Sequence, residues 1–193
     1  FACGKSGGVG TWLRLMGIRS NTNVFRFQNI SYKQKPLLQY NEQWIGHPLA
    51  IAYFRSRGLS IDSILKFKLG YDGWRFTIPS WVGEKLMSVK LRKNPANTTD
   101  SKPKYLNMKG SRNHLFNEDA LSNADSVLIC EGELDCILLA QCGFVAVSPV
   151  GGCRGFRHDW VTKFANKKVY LFYDQDQAGQ DAQEQLYRLF ASV

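Results

Sequence analysis

Three carboxylates stand at the ends of two short apolar runs, and this placement restricts the fold more than anything else in the chain. Ser126-Val127-Leu128-Ile129-Cys130 leads into Glu131-Gly132-Glu133-Leu134-Asp135, and Lys168-Val169-Tyr170-Leu171-Phe172-Tyr173 leads into Asp174-Gln175-Asp176-Gln177-Ala178-Gly179. Runs this short, rich in β-branched and aromatic residues and followed by helical periodicity, read as buried strands of a parallel α/β sheet. Ligands of such sheets gather at the carboxyl ends of the strands, so Glu131, Asp174 and Asp176 are expected on one rim. Asp135 lies one helical turn past Glu131 and can point back toward it, while Asp174 and Asp176 share a face of an extended strand end. Gathered carboxylates repel one another unless a cation sits between them, and an all-oxygen donor set suits a hard divalent ion, Mg²⁺ or Mn²⁺. The competing reading assigns Glu133, Asp135 and Asp176 to helix N-termini, where the dipole favours acids. It explains one strand end better than it explains two.

The alternation strand, helix, strand, helix, strand, helix begins near residue 125. Strands are expected over Val127–Cys130, Phe144–Val147 and Val169–Tyr173. Helices are expected over Leu134–Cys142, closed by Gly143, near His158–Ala165, and over Ala178–Ala191, with Ala182, Leu186, Leu189 and Phe190 on one face. Upstream, helices are expected over Leu49–Arg57 and, with Ser60 as N-cap, Ile61–Phe67. Two strands, Trp74–Pro79 and Leu86–Arg92, are joined through Val82-Gly83-Glu84-Lys85. A basic loop over 93–113 follows, and Leu115–Leu121 closes this part. The expected fold is a parallel α/β sheet flanked by helices, preceded by a smaller mixed α+β basic subdomain. Boundaries are expected at 19–48 for a linker, 49–122 for the basic subdomain and 123–193 for the α/β domain.

Charge divides along the same line. The chain carries +9 overall, but residues 1–120 hold 19 Lys+Arg against 7 Asp+Glu, and residues 121–193 hold 6 against 9. A strongly basic part joined to an acidic rim suits a polyanion such as nucleic acid, although a solvated basic surface has the same composition. No apolar stretch is long enough to span a membrane and no secretory leader is visible. Five cysteines without an internal CxxC pair fit a reducing, cytoplasmic compartment, with Cys130, Cys136, Cys142 and Cys153 as small core residues. The chain starts at Phe1 and stops inside a helical pattern, which reads as a piece of something longer.

Glu131-Gly132-x-x-Asp135, followed by Asp174-x-Asp176-x-Ala178-Gly179, resembles the TOPRIM fold of DnaG-type primases, topoisomerases and certain nucleases. Three upstream stretches resemble primases in particular. These are Ala52-Tyr53-Phe54-x-x-Arg57-Gly58-Leu59-Ser60, then Arg75-Phe76-Thr77-Ile78-Pro79 with Val89-x-x-Arg92, and Pro103-Lys104-Tyr105-Leu106-Asn107. Phe1-Ala2-Cys3-Gly4-x-x-Gly7-Gly8 is similar to the tail of the primase zinc ribbon, which makes residues 1–18 the expected end of such a domain. Ser148-Pro149-Val150-Gly151-Gly152 and Asp159-Trp160 look more like phage and plasmid primases, many of which continue into a helicase.

The resemblance implies template-directed synthesis of short primers from nucleoside triphosphates on single-stranded DNA, a nucleotidyltransferase reaction, with a separate or fused replicative helicase as partner. It implies that Glu131 shapes the metal site and acts as general base, that Asp174 and Asp176 bind Mg²⁺ or Mn²⁺, and that Cys3 is a Zn²⁺ ligand. Arg75, Arg92 and Lys104 would hold nucleotide or template. Gly151-Gly152, beside Arg154 and Arg157, forms a candidate phosphate-binding turn. Tyr32, Tyr40, Trp44, Tyr53, Trp74 and Trp81 are divided between base stacking and packing, with packing the better reading. The family's further Asp-x-Asp motif does not follow Asp176, so these carboxylates are expected to be most of the metal-binding set. Two other readings remain open: a TOPRIM nuclease or topoisomerase piece, and a non-catalytic DNA-binding or helicase-loading module.

Overall fold

Pro48 at the first helical position, with His47 Nδ1 accepting the Leu49 N–H at 3.2 Å, starts helix α1 (Pro48–Ser56) in a computed structural model that describes residues 35–152 and 155–192. Ala50, Tyr53 and Phe54 fall on one stripe and are buried. Gly58, at φ +91°, turns the chain, and the Ser60 hydroxyl accepts the Ser63 N–H at 3.1 Å to cap α2 (Ile61–Lys66), as the sequence anticipates. Next come β1 (Gly70–Tyr71), β2 (Arg75–Val82), β3 (Lys85–Lys93) and β4 (Tyr105–Asn107), which form an antiparallel sheet in the order β1-β2-β3-β4. Strand β4 lies inside the segment expected to be loop. It is three residues long and alternates too briefly to be read alone, and pairing with β3 (Arg92 opposite Tyr105, Lys90 opposite Asn107) creates it.

Residues 35–47, from the expected linker, lie against this sheet. Leu37 N–H donates to Lys109 O at 2.8 Å, and Leu37, Tyr40 and Trp44 pack on Val89, Leu91 and Met108. The loop between β3 and β4 is held from beneath by Arg75. Its guanidinium, 0 % exposed, meets Asp100 at 2.7 Å and donates to Pro103 O at 2.9 Å.

The second sheet has the order β5-β7-β6-β8, formed by β5 (Leu115–Phe116), β6 (Ser126–Cys130), β7 (Ala146–Pro149) and β8 (Lys168–Phe172). Strands β7, β6 and β8 are parallel, and β5 is an antiparallel edge. Leu115 and Phe116, expected to close the basic part, are thus fully committed to this sheet: both are buried and paired with Pro149 and Ser148. Helices α3 (Glu133–Gln141) and α4 (Gln177–Ala191) flank the sheet. The expected helix near 158 is a 3-10 segment, His158–Phe164, and its buried Trp160, Val161 and Phe164 recur at a spacing that serves either geometry.

Along β6, Leu128 and Cys130 face one core and Val127 and Ile129 the other. The first core joins the two sheets: α1 and β2 contribute Ala50, Tyr53, Phe54, Phe76 and Ile78, and the α/β part contributes Phe116, Cys136, Ile137 and Ala146. Tyr53 stacks on Phe76 with centroids 4.1 Å apart. Cys130 and Cys136 are buried thiols as expected, whereas Cys142, at the end of α3 where no layer covers it, is exposed; Cys153 lies outside the described residues. No described helix is long and apolar enough to cross a membrane.

The Arg75–Asp100 pair gives a direct stability test. Asp100→Ala removes the carboxylate that faces a buried guanidinium and should cost about 3–5 kcal/mol. Urea unfolding at constant m-value reads this loss. A change below about 0.5 kcal/mol, the level of an ordinary surface substitution, would contradict it.

Candidate active site

The acidic rim is built by strand pairing and by two glycines. Cys130 sits opposite Phe172, so Glu131 emerges beside the residues that follow β8, and the Asp174 N–H donates to its carboxylate. Gly132 is extended (φ −136°, ψ 163°), a conformation open to any residue; its lack of a side chain leaves room for Asp135, whose Oδ2 lies 3.2 Å from where a Cβ would be. Asp135 occupies the first turn of α3. Gly179 is more demanding, because a Cβ there would fall 2.2 Å from Asp174 O. The first turn of α4 therefore seats directly on the Asp174 peptide. Asp176 Oδ1 accepts the Gly179 N–H at 2.8 Å and caps α4. The helix-cap reading of Asp176 is thus correct for one of its oxygens.

The four carboxylates interact electrostatically. Desolvation, then the nearby Asp174, Asp176 and Asp135 charges, push Glu131 above the usual carboxylate range, against the Asp174 N–H that pulls it down. Asp135, at the solvent edge, is raised by partial desolvation and by Asp174, with Arg57 opposing. Glu131 Oε2 is buried without a hydrogen-bond partner among the described residues. No three His, Cys, Asp or Glu side chains among the described residues are gathered closely enough to form a complete cation cage. Mg²⁺ does not require one, since it takes one or two carboxylates and completes its shell with water and phosphate. An orphaned buried carboxylate oxygen among repelling carboxylates fits such an ion.

A basic, aromatic face comes from the first sheet. Arg92 lies between the Tyr53 and Tyr105 rings, 5.4 and 5.1 Å from their centroids, and donates to Tyr105 Oη at 2.5 Å. Lys104 and Lys90 stand 5.5 and 5.7 Å from the same Tyr105 ring, which is 41 % exposed. Lys90 also reaches into the second sheet, where it meets Glu133, 4 % exposed at the start of α3.

Arg75 does not join this face. Expected to contact nucleotide or template, it is sealed beneath the β3–β4 loop, because its neighbours on β2 alternate into the core and Asp100 compensates its charge. Gly151-Gly152 follows β7 at the sheet end that carries Glu131. Gly152, at φ +80°, gives its N–H to Pro149 O, and Gly151 packs against Gly155 and Asn113, so the Gly152 N–H serves the turn rather than an anion. Of the aromatic residues, Tyr40, Trp44 and Trp81 pack on one another and Tyr53 is buried; Tyr32, Cys3 and Arg154 lie outside the described residues. Sequence reading missed Lys90, Arg57 and Tyr105 as site neighbours. The available signal was the period-two relation of Lys90 to Arg92 on one strand face.

Residues 128–193, which carry the strand-end carboxylates on the partly parallel sheet, match the Toprim-like family. The chain is similar in sequence to DNA primases. It is 27 % identical over 209 residues to the DNA primase of Legionella pneumophila, covering 85 % of this chain and 35 % of that protein. It is 29 % identical over 178 residues to the DNA primase of Deinococcus radiodurans, covering 67 % and 31 %. It thus spans about a third of the length of these relatives. The fold is shared with the zinc-binding and RNA polymerase domains of Aquifex aeolicus primase (TM-score 0.63, 21 % identity, 76 % of this chain and 48 % of that one). It is shared as well with the primase fragment of the bacteriophage T7 primase-helicase (TM-score 0.57, 18 % identity, 70 % and 59 %).

The raised carboxylates make a signed prediction. Between the ordinary carboxylate range and the raised folded values of Glu131 and Asp135, the folded state binds more protons than the unfolded one, so this cluster stabilises as pH falls and costs stability near neutrality. Without metal, Asp174→Asn should therefore raise Tm at neutral pH, and its advantage over wild type should shrink as pH is lowered into the carboxylate range. Paired thermal melts across pH measure this, and an advantage that grows with acidity would refute it.

Proposed function

We propose that this chain is the catalytic core of a DNA primase, which joins nucleoside triphosphates into short primers on a single-stranded DNA template. The observation that carries the reading is the orphaned Glu131 oxygen beside Asp174, on a rim that the Lys90–Glu133 contact links to the Arg92–Tyr105–Lys104 surface. The DNA primases among the relatives, and the primase domains that share the fold, support it.

Glu131, Asp174 and Asp176, with Asp135 at the edge, are the residues that would hold Mg²⁺ or Mn²⁺. Such an ion, when bound, lowers the pKa of a coordinated hydroxyl and stabilises charge on attacking and leaving oxygens. Glu131, whose proton affinity is raised by desolvation and by the neighbouring carboxylates, would in its ionised form be suited to take a proton from the attacking 3′-hydroxyl. Arg92 and Lys104 would neutralise triphosphate or template phosphates through charge-assisted hydrogen bonds. The exposed Tyr105 ring offers a surface on which a base can stack. Arg75 contributes indirectly, through the loop that leads to Lys104. An upstream zinc ribbon ending near Cys3, and a replicative helicase as a separate or fused partner, complete the proposed assembly. We further assign residues 49–122 and 123–193 as its two parts, with β5 carried by the first and paired into the second.

Asparagine at 176 retains the capacity to cap α4. Asp174→Asn/Asp176→Asn should therefore fold, and should lower Mg²⁺- or Mn²⁺-dependent primer synthesis by about 10²-fold or more. Binding to single-stranded DNA should change little and should weaken as salt rises in both proteins. Undiminished synthesis by the double variant would overturn the assignment.

A further inference from the structure

Between the two surfaces of the site stands one ion pair that neither surface requires by itself. Lys90 Nζ donates to Glu133 Oε2 at 2.6 Å and lies 2.5 Å from Oε1, which accepts no hydrogen bond among the described residues, so the ammonium holds the carboxylate through one hydrogen bond and one close charge contact. Its side chains are 13 % and 5 % exposed. One partner comes from β3 of the basic sheet, the other from the first turn of α3.

The neighbours of each partner give the pair its importance. Glu133 lies midway between Glu131 and Asp135 in sequence, and Gly132, the cap of α3, immediately precedes it. Lys90 shares a face of β3 with Arg92, whose guanidinium lies close to the Tyr53 and Tyr105 rings. Anchoring Glu133 to Lys90 therefore anchors the turn that aims Glu131 and Asp135, and it does so relative to the strand that presents Arg92. The apolar core shared by the two sheets lies under α1 and keeps them in contact, but apolar packing has no direction. A hydrogen-bonded ion pair is directional, and breaking it leaves a buried charge behind.

We propose that Lys90 and Glu133 are positioning residues: their ion pair fixes the spacing and orientation between the acidic rim and the Arg92–Lys104 face, so that a nucleoside triphosphate held by the basic face meets the rim in reactive alignment. This rests on the functional reading above. It differs from a general stabilising role in what it predicts for the separate kinetic constants. Misalignment of a substrate that still binds lowers kcat, and a displacement of about 1 Å is enough to cost 10²-fold.

Removing one partner alone would strand the other in a buried setting and confound the result with unfolding. The informative variant is therefore Lys90→Met/Glu133→Leu, since an apolar pair of similar volume commonly folds as well as the ion pair it replaces. In the full-length protein it is compared with wild type by thermal melting, by calorimetric Mn²⁺ titration, and by primer synthesis at varied nucleoside triphosphate. The expected result is a melting temperature near that of wild type, unchanged Mn²⁺ affinity, a KM altered only slightly and a kcat lowered by about 10- to 100-fold. Lys90→Arg, which keeps a cation able to donate to the carboxylate, should recover most of the lost kcat. A wild-type kcat in the apolar double variant would overturn the positioning role. Loss of Mn²⁺ affinity in proportion to kcat would also overturn it, because the pair would then act through metal retention. Absence of primer synthesis by the wild-type protein would instead remove the functional reading on which the proposal stands.

Discussion

Strand β6 is paired on both edges and buried on both faces, and the remainder of the molecule is arranged around that confinement. Its neighbours β7 and β8 run parallel to it, which forces each connection to cross over the sheet and return, and the crossings are made by α3 and by the 3-10 segment at His158–Phe164. Because successive side chains alternate, a single five-residue strand supplies two different cores. One of these cores continues without interruption into the antiparallel sheet through α1. A register slip of one residue in β6 would exchange the two cores and carry Glu131 away from Asp174. The register of one strand therefore determines both the join between the sheets and the location of the acidic rim.

The charges show a division of labour. Buried acids with a resident cation, Asp100 with Arg75 and Glu133 with Lys90, hold segments in place. Acids whose nearest electrostatic neighbours are mainly other acids, Glu131 and Asp135, remain in mutual conflict. Conflict of this kind lowers the stability of the free protein and is found where a ligand is meant to resolve it. Arg92 and Lys104 are the complementary case, cations gathered on the exposed Tyr105 ring.

What was legible in the sequence follows from what local chemistry controls. Helix caps such as Ser60, the apolar runs of β6 and β8, and the carboxylates at their ends are encoded by neighbours along the chain, but β8 is not the buried strand expected: it is an edge strand, with Tyr170 and Phe172 exposed. Strand β4 and the commitment of Leu115–Phe116 to the second sheet are not so encoded, because each is two or three residues long and exists only through its partner strand. Arg75 shows the limit most clearly. A basic residue in a basic segment reads as a ligand contact, yet its position on β2 and the distant Asp100 bury it completely. Lys90, two residues before Arg92, carried the same composition and was passed over. Burial of a charge depends on long-range pairing, which a single sequence does not display.

The seating of α4 on β8 has a consequence for altering this site. The contact at Gly179 is backbone against backbone, with Asp174 O where a side chain would begin. Nothing flexible lies between helix and strand to absorb a change. The carboxylates themselves are replaceable, and charge can be tuned through them, but the interval between the helix and the strand end is set by main-chain contact, with no room for a side chain at Gly179. Variation in a site of this kind is thus channelled toward the opposing face, where long side chains on β3 and β4 can change reach without moving the main chain.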